Sequence, residues 1–403
     1  MILKDKNILL GVTGSIAIYK SLELIRLFIK AGANVRVIMS ESAKKFINPI
    51  TFEAISQNKI LDENSENWDK NQDYNHIDIG KWADILVLAP LSANSINKIA
   101  CGLADNLTLQ TILAFKKQII ISPAANTNMI ENPITLENFE KLKNFGYKIA
   151  PTQTKELICK DIGNGAMAEP KDIFDMCARE LLKTSYWENR DVVISGGGTL
   201  EKIDEVRYIS NFSSGKMASS LAQALYLKGA NVKLVSTRGY ENIAKNIELK
   251  VVQSSSEMFE ALQEFMKNAK LSKKPYLFKA AAVSDYIPKS HFDGKLKKES
   301  LGDSFRLEMV QNIDILKSLD KKDFISVGFK AELDKQNALK NATNMLEKKE
   351  LDMVCLNILE DSNSFGSSTN KIELISKDFT QSFSGEKLAL SIEILDFLES
   401  KNI

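Results

Sequence analysis

Three consecutive glycines, Gly196 to Gly198, directly follow the apolar run Val192-Val193-Ile194-Ser195. A buried strand that runs into glycine is a place where backbone can turn sharply and approach a ligand closely. A second polar turn, Asn211-Phe212-Ser213-Ser214-Gly215-Lys216, precedes a helical run over 217–228. Backbone N–H groups and hydroxyls that open a helix form an anion site. A nucleotide-binding type of fold thus begins near residue 190, in mid-chain. Whatever precedes it must be a domain of its own, and 403 residues are too many for one core.

The first half reads as a βαβ opening. A strand over 7–12, the turn Thr13-Gly14-Ser15 and a helix over 16–31 lead to a second strand over 34–39. Ile18, Leu22, Ile25 and Ile29 are spaced as one helical stripe. The turn carries GxxG rather than GxGxxG, which suits one phosphate at Ser15 better than a dinucleotide. A bare βα turn without ligand is the plain alternative. In a doubly wound sheet the carboxyl ends of the strands face the crevice. Ser40, at the end of the second strand, is therefore a candidate ligand contact or a helix cap. His76, in a segment read as a loop before the strand over 85–90, is a candidate base or a structural histidine. Ser92, Asn94 and Asn126 stand in further strand–turn–helix connections; Asn126 could instead close an Asx-turn. Cys159 sits in the glycine-containing stretch CKDIGNGAM, read as a mobile flap.

In the second half, the apolar run YLFKAAAV over 276–283 ends at Ser284-Asp285-Tyr286, where Asp285 could hold a metal or a ribose. GKLKKE, over 294–299, is a basic cluster that suits a triphosphate, or a solvated lysine run. Strands over 324–329, 353–356 and 371–375 and a helix over 337–350 follow. Lys+Arg 53 against Asp+Glu 52 leaves a net charge of +1, so no global field favours nucleic acid or a membrane surface. The widely spaced cysteines Cys101, Cys159, Cys177 and Cys355 form no CxxC pair and fit a reducing cytoplasm. Two histidines exclude a histidine-rich metal site.

Taken together, GVTGSIAIYK, HIDIGKWADILVLAP, PAAN, CKDIGNGAM, DEVRYISNFSSGKM, AAVSDY, GKLKK and VGFKAE resemble, in this order, the bacterial bifunctional enzymes of coenzyme A biosynthesis. The resemblance spans essentially the whole chain. It implies two Rossmann-like doubly wound α/β domains: a flavodoxin-like, flavin-binding phosphopantothenoylcysteine decarboxylase domain over 1–187 and a nucleotide-binding phosphopantothenate–cysteine ligase domain over 188–403. It also implies that FMN supplies the redox chemistry that makes CO2 loss feasible. His76 would then be the base, Asn126 would grip the substrate carboxylate and Cys159 would return a proton, with cofactor contacts at Gly14, Ser15, Ser40, Ser92 and Asn94. In the second domain CTP would activate phosphopantothenate as an acyl-cytidylate, which cysteine then attacks. Asn211 would handle that intermediate. Lys279, Ala280, Ala281, Asp285, Lys295, Ile313, Asp314, Ile315, Leu316, Phe329 and Lys349 would bind the nucleotide, with Mg2+ at the phosphates and its ligands unassigned. A cytoplasmic homo-oligomer, a dodecamer built of trimers and dimers, is implied as well.

The chain departs from the family pattern at four places. Ala125 stands for the methionine of PAMN, and Ala218 for the glycine after SSGKM. Ile313 replaces the proline of NPDI. Met345 stands where the first of two lysines, four residues apart, is expected before Leu351. Two other readings compete. One is a pyridine-nucleotide oxidoreductase, disfavoured by the missing GxGxxG and because the second strand ends at Met39-Ser40 rather than in an acidic residue. The other is a decarboxylase with a weakened or regulatory second half.

Overall fold

The computed structural model describes residues 1–69, 75–156, 162–297, 299, 302, 304–359 and 366–403. The chain divides into two compact units, Met1–Leu182 and Lys183–Ile403.

The first unit is built on strands β1 (Asn7–Val12), β2 (Asn34–Met39), β3 (Ile85–Leu91), β4 (Ile119–Pro123) and β5 (Lys148–Ile149). All are parallel, in the spatial order β2-β1-β3-β4-β5. This is the flavodoxin-type order, whose switch point lies between β1 and β3. Strands covered on both faces read as continuous apolar runs, as β3 (ILVLAPL, buried throughout) does. Helices α1 (Tyr19–Lys30), α2 (Pro49–Ser56), α3 (His76–Trp82), α4 (Ala93–Ala100), α5 (Leu107–Ala114), α6 (Thr127–Ile130), α7 (Pro133–Asn144) and α8 (Pro170–Leu182) complete the unit. An antiparallel hairpin, β6 (Gln153–Glu156) and β7 (Ile162–Ala166), stands apart from the sheet.

Three expectations are corrected here. A 3₁₀ turn over Ile16–Ile18 precedes α1, and the buried stripe of α1 is Ser21, Leu24, Ile25 and Phe28, so Leu22 and Ile29 are only partly covered. The segment after residue 75 is a helix rather than a loop, because the Asn75 side chain accepts from the N–H groups of Ile77 (3.0 Å) and Asp78 (2.9 Å). Ser40 caps no helix: the short turn beyond it has Ser42 at its N-cap, and α2 is capped by Asn48.

The second unit comprises β8 (Asp191–Gly196), β9 (Glu201–Lys202), β10 (Tyr208–Ile209), α9 (Lys216–Leu227), β11 (Asn231–Ser236), β12 (Glu248–Val251), α10 (Ser255–Lys267), β13 (Tyr276–Lys279), β14 (Tyr286–Pro288), β15 (Met309–Gln311), α11 (Ile315–Ser318), β16 (Ile325–Glu332), α12 (Ala338–Lys348), β17 (Met353–Ile358), β18 (Thr369–Ile375), β19 (Thr380–Glu386) and α13 (Lys387–Lys401). Its main sheet runs β12-β11-β8-β13-β16-β17-β18-β19. The first six are parallel in the Rossmann order, and β18 and β19 add an antiparallel edge. Both doubly wound sheets match the expected fold class. The expected strand over 276–283 ends at Lys279, so Ala280 to Val283 form a loop at the sheet's carboxyl edge. Residues 184–190 pack into this unit. Trp187 is fully buried, donates to the Leu395 carbonyl at 3.3 Å and lies 4.9 Å from the Tyr276 ring.

Candidate active sites

Each sheet opens a cavity at its carboxyl edge. In the first unit Thr13 fixes the switch point. Its hydroxyl donates to the Pro90 carbonyl (3.0 Å) and accepts from the Ser92 N–H (2.8 Å), which ties the turn after β1 to the turn after β3. Ser15 caps its 3₁₀ turn through Ala17 N (3.4 Å), and Ser92 caps α4 through Ser95 N (3.3 Å). A cavity of about 840 Å³ lies over these turns, inside the range of small-ligand sites. Gly14, Ser15, Ser92, Asn94 and Asn126 all line it. Ser40 does not; Ser42, 3.3 Å from the Ser40 hydroxyl, takes that place.

The hairpin supplies the far wall. Ala125 N donates to the Gly165 carbonyl at 3.1 Å, and a Cβ at Gly165 would stand 2.1 Å from the Ala125 carbonyl oxygen. Only glycine permits that approach. On β6, Lys155 bonds Glu169, and Lys20 of α1 reaches the same carboxylate at 3.3 Å. The Lys155 hydrogen bond is the main reason that the Glu169 carboxyl is held below its ordinary value. Lys20, Lys155 and Glu169 line the cavity, and the sequence reading did not single them out. Cys159 lies outside the described residues.

His76 is the first residue of α3 and is not in the cavity lining. Its Nδ1 is 2.8 Å from Glu66 Oε1, and the Trp68 ring meets it edge-on at 5.4 Å. A carboxylate at that distance makes Nδ1 the donor, so the lone pair of the neutral ring lies on Nε2. Glu66 falls in a polar stretch that carries no motif, so no sequence signal marks it.

In the second unit the chain turns sharply at the glycines. Gly197 takes φ +80°, and a Cβ there would stand 2.1 Å from the Thr237 hydroxyl. The Asn211 amide donates to the Val283 carbonyl at 3.0 Å. A polar cavity of about 880 Å³ brings together Asn211, Lys279, Ala281, Asp285, Ile313, Asp314, Ile315, Leu316, Phe329 and Lys349. Ala280 lines a smaller cavity, about 180 Å³, at the start of α9, and Ala281 and Phe329 are shared by both. Lys295 lines neither. It is exposed in a turn whose neighbour Leu296 donates to Asp204 at 3.1 Å. Arg207 also bonds Asp204, through Nε at 3.0 Å, and that bond is the main reason its carboxyl lies well below the carboxylate range.

Lys349 pairs with Asp314 at 3.0 Å. Burial works against ionisation of Asp314, but the Lys349 contact wins and lowers its carboxyl below the ordinary value. The Ser284 hydroxyl is buried in the same lining, and among the described residues it has no hydrogen-bond partner. Such a group is costly unless a ligand satisfies it.

The departures have local answers. Ile313 N–H donates to the Asn312 side chain at 2.8 Å, a bond proline could not make, and Asn312 Nδ2 holds the Ser284 carbonyl at 2.8 Å. The turn is thus fixed by hydrogen bonds rather than by a ring. Ala218 is fully covered, and its methyl fits because residue 196 is glycine: a Cβ there would be 2.6 Å away. Ala125 joins the apolar cluster under β3 and β4. Met345 packs on the cluster around Leu346, Leu351 and Val354.

A flavodoxin-ordered unit joined to a Rossmann-ordered unit, each with a cavity at the carboxyl edge of its sheet, defines a two-domain α/β protein. Residues 2–182 match the family model Flavoprotein, and residues 187–401 match the DNA/pantothenate metabolism flavoprotein C-terminal domain. The chain is 37% identical over 404 residues to the coenzyme A biosynthesis bifunctional protein CoaBC of Vibrio parahaemolyticus, spanning 98% of both chains. It is 36% identical over 382 residues to that of Bacillus subtilis, spanning 93% of this chain and 92% of the relative. A crystal structure of the C-terminal domain of a CoaBC protein aligns with 54% of this chain and 98% of its own, at 29% identity and a TM-score of 0.43. The chain belongs to the family of bifunctional coenzyme A biosynthesis proteins. That membership sets aside the pyridine-nucleotide alternative. No helix among the described residues is long and apolar enough to cross a membrane.

Proposed function

We propose that the first unit decarboxylates phosphopantothenoylcysteine with FMN, and that the second joins phosphopantothenate to cysteine at the expense of CTP. The observation that carries this reading is the pair of cavities, each at the carboxyl edge of its own doubly wound sheet.

The first cavity fits FMN. Its donors at Ser15, Ser42, Ser92, Asn94 and Asn126 are uncharged, and Gly165 lets the hairpin wall approach the Ala125 backbone. When bound, FMN supplies the two-electron chemistry that lets an amino-acid-derived carboxylate leave as CO2. Asn126, at the N-cap of α6, presents its amide to the substrate carboxylate. Cys159, which falls in sequence between β6 and β7, delivers the proton to the product. His76 is the base, oriented by Glu66 so that Nε2 receives the proton.

In the second cavity, Lys349 offsets nucleotide charge and Asp285 holds the nucleotide; Lys295, outside that lining, adds charge from its exposed segment. Asn211 steadies the acyl-cytidylate through an amide already held by Val283. Activation is required because a free carboxylate resists amide formation. Among the described residues no group of three His, Cys, Asp or Glu side chains converges to hold a metal. A Mg2+ would therefore be carried chiefly by the triphosphate oxygens.

Ile16, Tyr19 and Met129 line the first cavity yet are 53%, 59% and 50% exposed. An apolar rim of this kind supports closure by further copies of the chain, in keeping with trimers of the first unit and dimers of the second. His76 and Lys295, outside the linings of their own units, would act in such an assembly. We place the enzyme in the cytoplasm.

The test is one incubation of purified protein with 4′-phosphopantothenate, cysteine, CTP and Mg2+, read by mass spectrometry, with a visible spectrum of the starting sample. Phosphopantetheine, CMP and a flavin spectrum are expected. Accumulation of phosphopantothenoylcysteine would remove the decarboxylase. Turnover only of phosphopantothenoylcysteine supplied ready-made would remove the ligase.

A further inference from the structure

Strands β13 and β16 run parallel with Lys279 directly opposite Gly328. Partners in such a pair present their side chains to the same face of the sheet. At Gly328 that face is already filled. A Cβ there would stand 2.7 Å from Met345 Cε and 2.8 Å from Leu351 Cδ1. Met345 therefore turns its thioether down onto the sheet and continues the apolar cluster of Leu316, Ala342, Leu346 and Leu351. At this point α12 brings no cation to the cavity.

Lys279, one strand away on the same face, lines that cavity. Its ammonium donates to the Ala281 carbonyl at 2.7 Å, and among the described residues no carboxylate forms an ion pair with it. The cations around it are differently placed. Lys349 has Asp314 at 3.0 Å, and Lys330 has Glu332 at 3.2 Å. The charged groups that act on Lys279 are Lys349, at the end of α12, which repels it, and Asp314 and Asp285, from the loops before α11 and after β13, which attract it. Burial and then Lys349 push its amine down to about 7. Lys348 completes the cationic lining. Lys279 is half-buried, and an amine satisfied among the described residues only by a carbonyl, in a polar cavity, lacks a counter-charge.

We propose that Lys279 binds the triphosphate oxyanions of the nucleotide, filling beside Gly328 the cationic role that the apolar Met345 does not serve. This rests on the nucleotide reading of the cavity. The phosphates supply the missing counter-charge, and the amine becomes fully protonated in the complex. Nucleotide binding near neutral pH therefore takes up a proton from solution.

The test is calorimetric titration of CTP, with Mg2+, into the full-length holoenzyme at pH 7.5, in buffers of low and high ionisation enthalpy. An amine that titrates near 7 and is fully charged when bound takes up roughly three-quarters of a proton. Lys279→Met should abolish that uptake and weaken CTP binding about tenfold or more, while CMP, which lacks the outer phosphates, changes little. Lys279→Arg should restore CTP affinity without proton uptake, which a residue that merely supports the fold would not do. A Lys279→Met protein that binds CTP with wild-type affinity and proton uptake overturns the proposal. So does a loss confined to 4′-phosphopantothenate, whose own phosphate would then be the ligand. If the wild-type protein binds no CTP, the nucleotide reading itself falls, and this proposal with it.

Discussion

Glu66 and His76 form a carboxylate–imidazole pair with a 2.8 Å contact, made by a residue that no motif marks. A carboxylate that fixes the orientation of a working imidazole is worth about ten- to a hundredfold in activity. Glu66→Gln should lower decarboxylation by that factor with flavin content unchanged, as measured by product formation and the visible spectrum. Glu66→Asp should recover part of it. Unaltered turnover in Glu66→Gln would leave the pair a purely structural contact. In the second unit, Asn211→Ala should slow formation of the ligated product about a hundredfold, the scale of losing one preorganised donor, and leave decarboxylation intact. Loss of both activities would instead report misfolding. Asn126 and Asn211, which line the two cavities, stand in short segments that the sequence marks; His76 is marked in the same way but stands outside the lining. Glu66 and Ser42 are not marked, because what selects them is a contact across the fold.

At the scale of elements, the β6–β7 hairpin forms one wall of the first cavity. Its anchors are the glycine approach at Ala125 and the Lys155–Glu169–Lys20 cluster. Gly165→Ala overpacks the first of these by about 2 kcal/mol. The variant should lose bound flavin and decarboxylase activity together, seen in the absorption spectrum, while the ligase continues to release CMP. For the second anchor the sign follows from the carboxyl. Glu169 is held below its ordinary 4.5, so its contribution is complete above that pH and fades as the pH falls through the lowered value. Hydrogen exchange over 153–156 and 162–166 should therefore stay protected from neutral pH to below 4.5, and then rise. Glu169→Gln should remove that protection already at neutral pH. Equal protection in both proteins would show that the glycine approach alone holds the hairpin. Helix α3 teaches a related lesson. Its seven residues, HIDIGKW, contain a glycine and little apolar periodicity, so only the Asn75 cap and its burial against the sheet make it helical.

On the scale of the whole molecule, each unit carries its own buried sheet and its own apolar clusters. The second unit also absorbs residues 184–190, through Trp187. Trp187→Ala should cost about 3–5 kcal/mol and lower the melting transition of the ligase half, with the flavin-reported transition of the first half unmoved. A joint shift of both transitions in calorimetry would show the halves unfolding as one. The sequence by itself determined the two doubly wound sheets, the glycine turns at their carboxyl edges and the residues that those turns expose. These are local matters, since a continuous apolar run must be a strand covered on both faces and glycine must mark a close approach. Only the tertiary structure decided that Ser42 rather than Ser40 meets the first cavity, that His76 and Lys295 stand outside the linings, and that Met345 turns into the core beside Lys279. Each of these depends on which face of an element its neighbours cover, and that is fixed by strand order and packing between residues far apart in the chain.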